Sequence, residues 1–269
     1  MQYNFDIEIP KFLIFEDFEK QNSFNYSLIE HKVVLGLLGY ARSGKDSISK
    51  NFIKKYGFNR IAFADNVKKD MNLFMKELVY EDLSKTTKIN LLDINFNTDD
   101  EILKKQLRPY IVWYAETLRE LNGKYYWINK ALQFDAEGFD RIVITDIRRK
   151  EELEVFKNSN SFKRKTNSNF VLSGIGEGFP SGEFNSYSTL LFHVNQFQLT
   201  DSDVLTQECI RIAQENWMID FNFYIDSRLP KVGNSRNKSI NIQIDKVAKK
   251  FGISLPDKTI AVGRQFKLF

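Results

Sequence analysis

The chain has 269 residues, a length that suggests one large domain or two small ones. Hydrophobic residues make up 42% and charged residues 28% of it, a composition that is typical of a globular protein and excludes general disorder. The net charge of +4 comes from 39 basic and 35 acidic residues, which is too balanced to indicate a nucleic-acid polymer or a membrane as partner. The single cysteine, Cys209, excludes an internal disulfide. Together with the lack of a long apolar run, it predicts a cytoplasmic protein.

The first elements of the chain predict an α/β fold. Residues 1–30 lack a clean hydrophobic period, and we interpret them as an N-terminal extension ahead of one domain over residues 31–269. Val33 to Leu38 is apolar on both faces, the pattern of a buried parallel strand. A glycine-containing turn follows, and then an amphipathic helix that stops at Gly57. A second strand, Ile61 to Ala64, precedes another amphipathic helix. This alternation predicts a parallel central sheet flanked by helices.

The remaining segments continue the alternation less regularly. Residues 81–102 are polar and predict a loop, and helical residues return from Glu101 to Ala131. Arg141 to Thr145 predicts another buried strand, which ends at Asp146. Residues 157–188 are rich in Asn, Ser and Gly, a composition typical of an inserted loop. Short strands are also expected near 12–15 and at 170–172, 190–194 and 221–225, and helices at 204–217 and 241–251.

Residues 39–47, with the sequence GYARSGKDS, have the spacing of a phosphate-binding P-loop. Glycines let backbone N–H groups turn toward a phosphate, and the N-terminus of the following helix adds a favourable dipole. Lys45 would supply a mobile charge to the β- and γ-phosphates of ATP. A mere glycine-rich turn is disfavoured because a buried strand precedes the segment and an amphipathic helix follows it. The predicted ATP-binding residues are Gly39, Ala41, Arg42, Ser43, Gly44, Lys45, Asp46 and Ser47.

The residue after the lysine departs from the usual P-loop pattern. Asp46 stands where Ser or Thr is usual, and the hydroxyl comes one residue later, at Ser47. Mg²⁺ prefers oxygen ligands and retains waters, so the carboxylate of Asp46 can serve the metal directly or through water. Ser47 could instead bind the α-phosphate, and which of the two residues serves the metal stays open from the sequence. ATP and Mg²⁺ are the expected cofactors.

Four segments of the chain resemble the phage-type deoxynucleoside monophosphate kinases of the P-loop nucleoside monophosphate kinase family. The first is the P-loop with its Asp after Lys, and the second is Phe63-Ala64-Asp65 followed by Lys68. The third is the stretch with Arg108, Glu116 and Arg119, which ends near Tyr126-Trp127. The fourth is Val143 to Arg148, followed by Glu152. The match covers residues 32–155, and two of its segments depart from the family, since Asn66 replaces a Pro and Arg149-Lys150-Glu151 replaces Phe-Pro-Asn. The resemblance implies a three-layer fold and transfer of the ATP γ-phosphoryl group to a deoxynucleoside monophosphate. For a phage protein, it also implies location in the host cytoplasm.

Phosphoryl transfer requires two anionic substrates held in line and their charge neutralised, so basic residues should converge on the site. The predicted catalytic residues are Lys45, Asp146 and Arg148. Asp146 would act around Mg²⁺ or the reacting phosphates, and Arg148 or its neighbour Arg149 would neutralise the transferred charge. We expect the acceptor nucleotide to bind a helical region over residues 68–130. The predicted acceptor-binding residues are Asp65, Lys68, Arg108, Arg119 and Trp127.

Several of these residues also have a structural interpretation. Asp65 could be the N-cap of a helix that begins near Asn66, and Asp146 could be a buried partner of Arg148. Pro109 leaves open whether the two predicted acceptor arginines share one helix face. His31 and His193 stand apart without a carboxylate pattern, so neither a zinc site nor a catalytic triad is predicted.

The sequence leaves two other functions open. A P-loop kinase of another small phosphorylated metabolite would use the same loop, and so would a nucleotide-binding regulatory protein without turnover. The expected partners are small-molecule nucleotides, without a nucleic-acid polymer or a membrane, and a homodimer is left open.

Overall fold

The computed structural model describes residues 20–30, 32–81, 95–157, 188–196, 204–216, 218–226 and 234–256. The chain forms two compact units. The described residues of the smaller unit fall within 20–24 and 65–130, and those of the larger unit within 25–64 and from 131 onward. The strands predicted near 12–15 and at 170–172, and the interior of the predicted loop 157–188, lie outside the described residues.

A five-stranded parallel sheet with the order β2-β3-β1-β4-β5 forms the centre of the larger unit. In chain order the strands are β1 Val33–Leu38, β2 Asn59–Ile61, β3 Arg141–Ile147, β4 Ser188–Gln196 and β5 Ile219–Ile225. The helices of the described chain are α1 Lys45–Tyr56, α2 Phe63–Glu81, α3 Glu101–Asn122, α4 Tyr126–Phe134, α5 Val204–Glu215 and α6 Asn234–Phe251. The predicted α/β fold with a parallel central sheet is confirmed.

Alternate residues of β1 point to opposite faces of the sheet, and other elements cover both faces. On one side Leu35 packs in an apolar cluster that includes Phe52 of α1 and Ile244 of α6. On the other side Gly36 lies against the ring of Phe156, which belongs to a short 3-10 segment after β3. A Cβ on residue 36 would stand 2.3 Å from that ring. The near-continuous apolar sequence of β1 therefore reflects burial on two faces rather than one.

The helices of the smaller unit are α3, the start of α4 and most of α2, and they pack around a core of their own. The buried core residues are Val67, Met71, Phe74, Phe96, Leu107, Tyr114, Leu118, Tyr126 and Trp127. The side chain of Asp100 begins α3 by accepting hydrogen bonds from the N–H groups of Ile102 and Leu103, at 2.8 and 3.1 Å. The helix then continues without a break through Pro109 to Asn122.

The largest differences from the predicted boundaries concern β2, α3 and α6. The strand predicted at Ile61 to Ala64 is wrong beyond its first residue, since β2 ends at Ile61 and α2 begins at Phe63. The helical stretch predicted for 101–131 is two helices, because Gly123 adopts a φ of 100° that ends α3. The last helix, α6, begins at Asn234 instead of 241.

Candidate functional site

The P-loop lies at the point where the sheet connections change direction. From β1 the chain passes through α1 to β2, on one side of β1, whereas from β4 it passes through α5 to β5 on the other side. Ligands of open α/β sheets bind at such a point, outside the carboxyl ends of the strands. Residues 39–47 leave the carboxyl end of the central strand there. The fold thus positions the loop where a ligand crevice is expected.

Two glycines allow the close approaches that shape the loop. Gly39 passes so close to β4 that a Cβ would stand 2.5 Å from the carbonyl oxygen of Val194. Gly44 has a φ of 99°, and a Cβ there would stand 2.3 Å from Cδ1 of Ile225 on β5. A side chain at either position would therefore push the loop off the strands beneath it.

Arg42 adds backbone strain at the tip of the same loop. Its φ of 64° makes it the only non-glycine residue with a positive φ in the described part of the chain. This conformation costs a residue with a Cβ roughly 1–2 kcal/mol. Strain of this kind concentrates at ligand-binding loops, where the surrounding structure enforces it.

Lys45 carries its charge inside the curve of the loop. The ammonium donates hydrogen bonds to the carbonyl oxygens of Gly39 and Tyr40, at 2.6 Å each. The residue is only 9% exposed, and the two carbonyl dipoles replace part of the hydration that burial removes. The loop backbone thus holds the charge of Lys45 within the curve of residues 39–47.

The N-terminus of α1 is left without a side-chain cap, since its N-cap residue is Gly44. The N–H groups of Ser47 and Ile48 already donate to the carbonyl oxygen of Gly44, at 3.0 and 3.1 Å. An uncapped helix start that faces a ligand crevice favours an anion through its dipole and its N–H groups. Asp46 and Ser47 are exposed beside it, and both offer oxygen atoms to a metal ion.

Asp146, predicted to be catalytic, has a structural task in the larger unit. Its two carboxylate oxygens accept hydrogen bonds from the N–H groups of Phe63 and Ala64, at 2.9 and 2.8 Å. The end of β3 therefore caps the start of α2. A carboxylate offers about four lone-pair positions, so this task is compatible with a further partner, and the catalytic role of Asp146 stays a prediction.

The turn that follows β3 is held by Glu152, which is buried. One carboxylate oxygen of Glu152 accepts hydrogen bonds from the N–H groups of Arg148 and Arg149, at 2.6 and 3.0 Å. This fixes the backbone from which the half-buried side chain of Arg148 leaves the sheet. The predicted role of that arginine in neutralising transferred charge stays a prediction.

The five predicted acceptor-binding residues all belong to the smaller unit. Asp65 lies in the first turn of α2 and Lys68 in the next turn, and both are half-buried. Asp65 is not an N-cap as its structural interpretation would have it, because the helix begins two residues earlier, at Phe63. Its acceptor role remains a prediction.

The two arginines of α3 share one face, because the helix is continuous through Pro109 and eleven residues are close to three turns. Arg108 is exposed. Arg119 is half-buried and donates to both carboxylate oxygens of Glu116, at 3.2 and 3.0 Å. The structure thus answers the question that Pro109 raised, while the acceptor role of the arginines stays a prediction.

Trp127 lies in the core of the smaller unit, at 3% exposure. Its indole N–H donates to the carbonyl oxygen of Ala115 at 3.0 Å, which accounts for its only donor. The ring packs against Tyr126 and Tyr114. These contacts explain Trp127 as a residue of the core. Its predicted contact with a substrate stays a prediction.

His193 is the residue near the P-loop that the sequence did not indicate. It lies on β4 at 4% exposure, opposite Leu38 of β1, the residue that precedes the loop. Burial lowers its pKa, a hydrogen bond to Asn222 opposes this, and the charge of Lys45 lowers it again. A polar residue in an apolar strand, close to the carboxyl end, was the available signal.

Within the described residues, no three His, Cys, Asp or Glu side chains cluster in a way that could hold a metal ion. None of the helices in the described ranges is sufficiently long and apolar to cross a membrane.

No protein-family model matches the chain, and no curated protein matches it. Among solved structures, the chain is similar to the dephospho-CoA kinase from Campylobacter jejuni, at 11% sequence identity and a TM-score of 0.40. The match covers 81% of this chain and 99% of that chain. A likeness at this level says nothing about the substrate of this chain, so the resemblance to the phage-type kinases stays a prediction.

Proposed function

We propose that this protein is an ATP-dependent phosphotransferase that moves the γ-phosphoryl group of ATP to a (deoxy)nucleoside monophosphate and forms the diphosphate. The observation that carries the proposal is the charge of Lys45 inside loop 39–47. Its ammonium lies 2.6 Å from two loop carbonyl oxygens, beside the uncapped start of α1. A buried ammonium and a helix N-terminus that converge on one curve suit a polyphosphate better than any neutral ligand.

The chemistry required of the protein is mainly positioning and charge neutralisation. On binding ATP, Lys45 would exchange its carbonyl partners for oxygens of the β- and γ-phosphates. Charge-assisted hydrogen bonds to phosphate are stronger than bonds to neutral carbonyls, which favours this exchange. Arg148, on the turn held by Glu152, would add charge near the transferred group.

For the acceptor, the continuous helix α3 supports a phosphate-bearing substrate. Arg108 and Arg119 lie on one face of that helix, and a guanidinium binds a phosphate through two parallel hydrogen bonds. Lys68 adds a third basic group in the same unit. Asp65 would then orient the sugar or base of the acceptor, a task for a hydrogen-bond acceptor.

The exposed side chains at the start of α1 fit a Mg²⁺ ion. This ion binds through one or two protein oxygens and otherwise through waters and phosphates, and Asp46 and Ser47 supply such oxygens. The lack of a larger acidic cluster among the described residues is compatible with this mode. We infer that Asp46 holds the ion, directly or through water. Bound Mg²⁺ would screen the negative charge of the phosphates.

A nucleotide-binding protein without turnover is the second candidate, and one observation favours it. Both oxygens of Asp146, the predicted catalytic carboxylate, accept backbone hydrogen bonds at the start of α2. A carboxylate with this task can be retained for structure after catalysis is lost. The two candidates share ATP binding and differ in whether ADP is released.

A coupled ADP-release assay distinguishes these functions. Mg-ATP would be tested against dGMP, dTMP, dCMP, dAMP and their ribose counterparts, and against a phosphorylated metabolite that is not a nucleotide. We expect ADP release that depends on one nucleoside monophosphate. Lys45→Ala should lower kcat/KM by about 10²-fold or more, since it removes a charge aimed at the transferred group. The fold of the variant is checked by circular dichroism.

Lys54→Ala is the matched control, because Lys54 is an exposed lysine of the same helix and its loss changes the net charge equally. It should retain wild-type turnover. Wild-type turnover by Lys45→Ala contradicts the proposed role of the loop. ATP binding by the wild-type protein without ADP release for any acceptor favours the protein without turnover.

A further inference from the structure

His193 occupies a buried position that connects the P-loop to the edge of the sheet. Its backbone pairs with Leu38 of β1 on one side and with Asn222 of β5 on the other. Leu38 is the last strand residue before the loop. The residue after His193, Val194, offers the carbonyl oxygen against which Gly39 packs. The backbone of His193 thus lies beside the strand end that leads into the loop.

The two nitrogens of the imidazole have different surroundings. Nδ1 lies 3.1 Å from Oδ1 of Asn222. With an amide oxygen as its partner, Nδ1 must be the donor, and Nε2 of the neutral ring then carries a lone pair. Nε2 is buried and has no hydrogen-bond partner within the described part of the chain. Buried polar atoms without a partner are rare, and each calls for an explanation such as strain, a catalytic role, or a bound water or ion.

Among the charged groups of the described residues, Lys45 acts on the pKa of the ring. The short 3-10 segment that packs against β4 carries Glu152 and Glu154, and neither contributes to the shift. The facing positions of β1 and β5 carry Leu38 and Asn222, which are uncharged. Burial and the charge of Lys45 lower the pKa of His193 below its usual 6.5, against the opposing hydrogen bond to Asn222. Within the described part of the chain, burial and the charge of Lys45 therefore keep the ring neutral at pH 7.

A nucleotide in the loop would offset the part of this lowering that comes from Lys45, while the burial of the ring remains. Its phosphates bring several negative charges to Lys45, and the summed potential at the ring then favours the imidazolium form. Protonation converts Nε2 from an unused acceptor into a donor. The chain would thereby gain a second positive charge next to the strand end that leads into the loop.

We propose that His193 is a further phosphate-responsive residue of the P-loop, which takes up one proton from solvent at Nε2 when the phosphates of a nucleotide occupy the loop. This inference rests on the proposed function only in that the loop must bind such phosphates. It requires neither turnover nor a particular acceptor. By linkage, nucleotide binding is stronger below the pKa of the bound state and weakens as pH rises through it.

The direct test is a pH titration of the histidine signals by NMR, with and without saturating ATP and without acceptor. The chain has 2 histidines, so His31→Gln assigns the remaining signal to His193 and keeps the tested residue intact. We expect a pKa below 6.5 in the protein without ATP, and a value higher by at least about one pH unit with ATP. An unchanged pKa on ATP binding overturns the proposal.

Calorimetry gives an independent readout of the same proton. ATP binding is measured at pH 6.5 in buffers of different ionisation enthalpy, for the wild-type protein, His193→Gln and His31→Gln. The wild type and His31→Gln should take up about 0.5 proton more per bound ATP than His193→Gln. Any protons that ATP itself exchanges are common to the three measurements, so the difference reports on His193. Equal uptake by all three proteins contradicts the role of His193. Failure of the wild type to bind ATP overturns the proposed function as well, so the two failures are distinguishable.

Discussion

At the scale of single residues, the conformation of loop 39–47 depends on glycines at positions that have no room for a side chain. Gly44 combines a φ of 99° with a contact to Ile225, so it serves both the turn and the packing of β5 under it. Lys45 follows directly, and its hydrogen bonds to the loop carbonyls require the turn to be closed. Stability and the proposed phosphate binding should therefore be coupled through Gly44, Lys45 and Ile225.

Gly44→Ala should lower both the free energy of unfolding and the affinity for ATP. The positive φ costs an alanine roughly 1–2 kcal/mol, and crowding against Cδ1 of Ile225, 2.3 Å from the new Cβ, adds roughly 1–3 kcal/mol. Urea unfolding measures the first quantity and calorimetry the second. Gly138→Ala is the matched control, because Gly138 has a φ of 73° and nothing within 4 Å of an added Cβ.

The crowding part of this prediction has its own test. Ile225→Val removes the Cδ1 atom that the alanine would meet. The double variant should be more stable than the sum of the two single effects, by a coupling of about 0.5–3 kcal/mol. Strict additivity would show that Gly44→Ala acts through backbone strain alone.

At the scale of elements, side-chain hydrogen bonds connect α1 to α6 at the end of α1 that lies away from the loop. Asp245 of α6 accepts hydrogen bonds from Lys55 at 2.5 Å and from the hydroxyl of Tyr56 at 2.9 Å. Burial, followed by the hydrogen bond to Asp245, raises the pKa of Tyr56 to about 12. Lys55 and Asp245 are both about half exposed, so their ion pair contributes little. We therefore expect the hydrogen bond of Tyr56 to contribute more to stability than the ion pair.

Tyr56→Phe should lower the free energy of unfolding by about 1 kcal/mol at pH 7. The unfolded tyrosine ionises near pH 10 and the folded one near 12, so the wild type loses this contribution as pH rises through that window. The gap between wild type and variant should therefore narrow from pH 9 upward. Urea unfolding at several pH values measures it. Tyr224→Phe, at an exposed tyrosine of β5, should be neutral, and a gap that widens with pH would contradict the assignment.

At the scale of the whole molecule, each unit has its own apolar core. Leu118 lies in the core of the smaller unit and Leu35 in that of the larger unit, on the strand that leads into the loop. Each Leu→Ala change removes the same atoms and should cost about 2–5 kcal/mol. Only Leu35→Ala should weaken ATP binding, whereas Leu118→Ala should raise KM for the acceptor. Calorimetry with ATP, at a temperature where both variants are folded, compares them. Equal losses of ATP affinity in the two variants would contradict the assignment of the ATP site to the larger unit.

The parts of this molecule that the sequence predicts are those whose causes are local. The apolar run of β1 and the glycines and lysine after it identify a strand, a loop and a helix without reference to distant residues. The start of α2 could not be placed in this way, because Phe63 and Ala64 are apolar like a strand and their cap, Asp146, lies elsewhere in the chain. His193 was missed for the same reason, since its meaning depends on Asn222 and Lys45, which only the fold brings near it.

The strand order has a consequence for folding during synthesis on the ribosome. Val33 of the central strand pairs with Arg141 and with Ser188, both more than a hundred residues later in the chain. At 5–20 residues per second, β1 waits on the order of 5–20 s for its first neighbour and longer for its second. During that time an apolar strand has two open edges, a hazard for association with other chains. A chaperone that covers VVLGLL until β4 is synthesised would therefore raise the yield of folded protein more than one that acts on the finished chain.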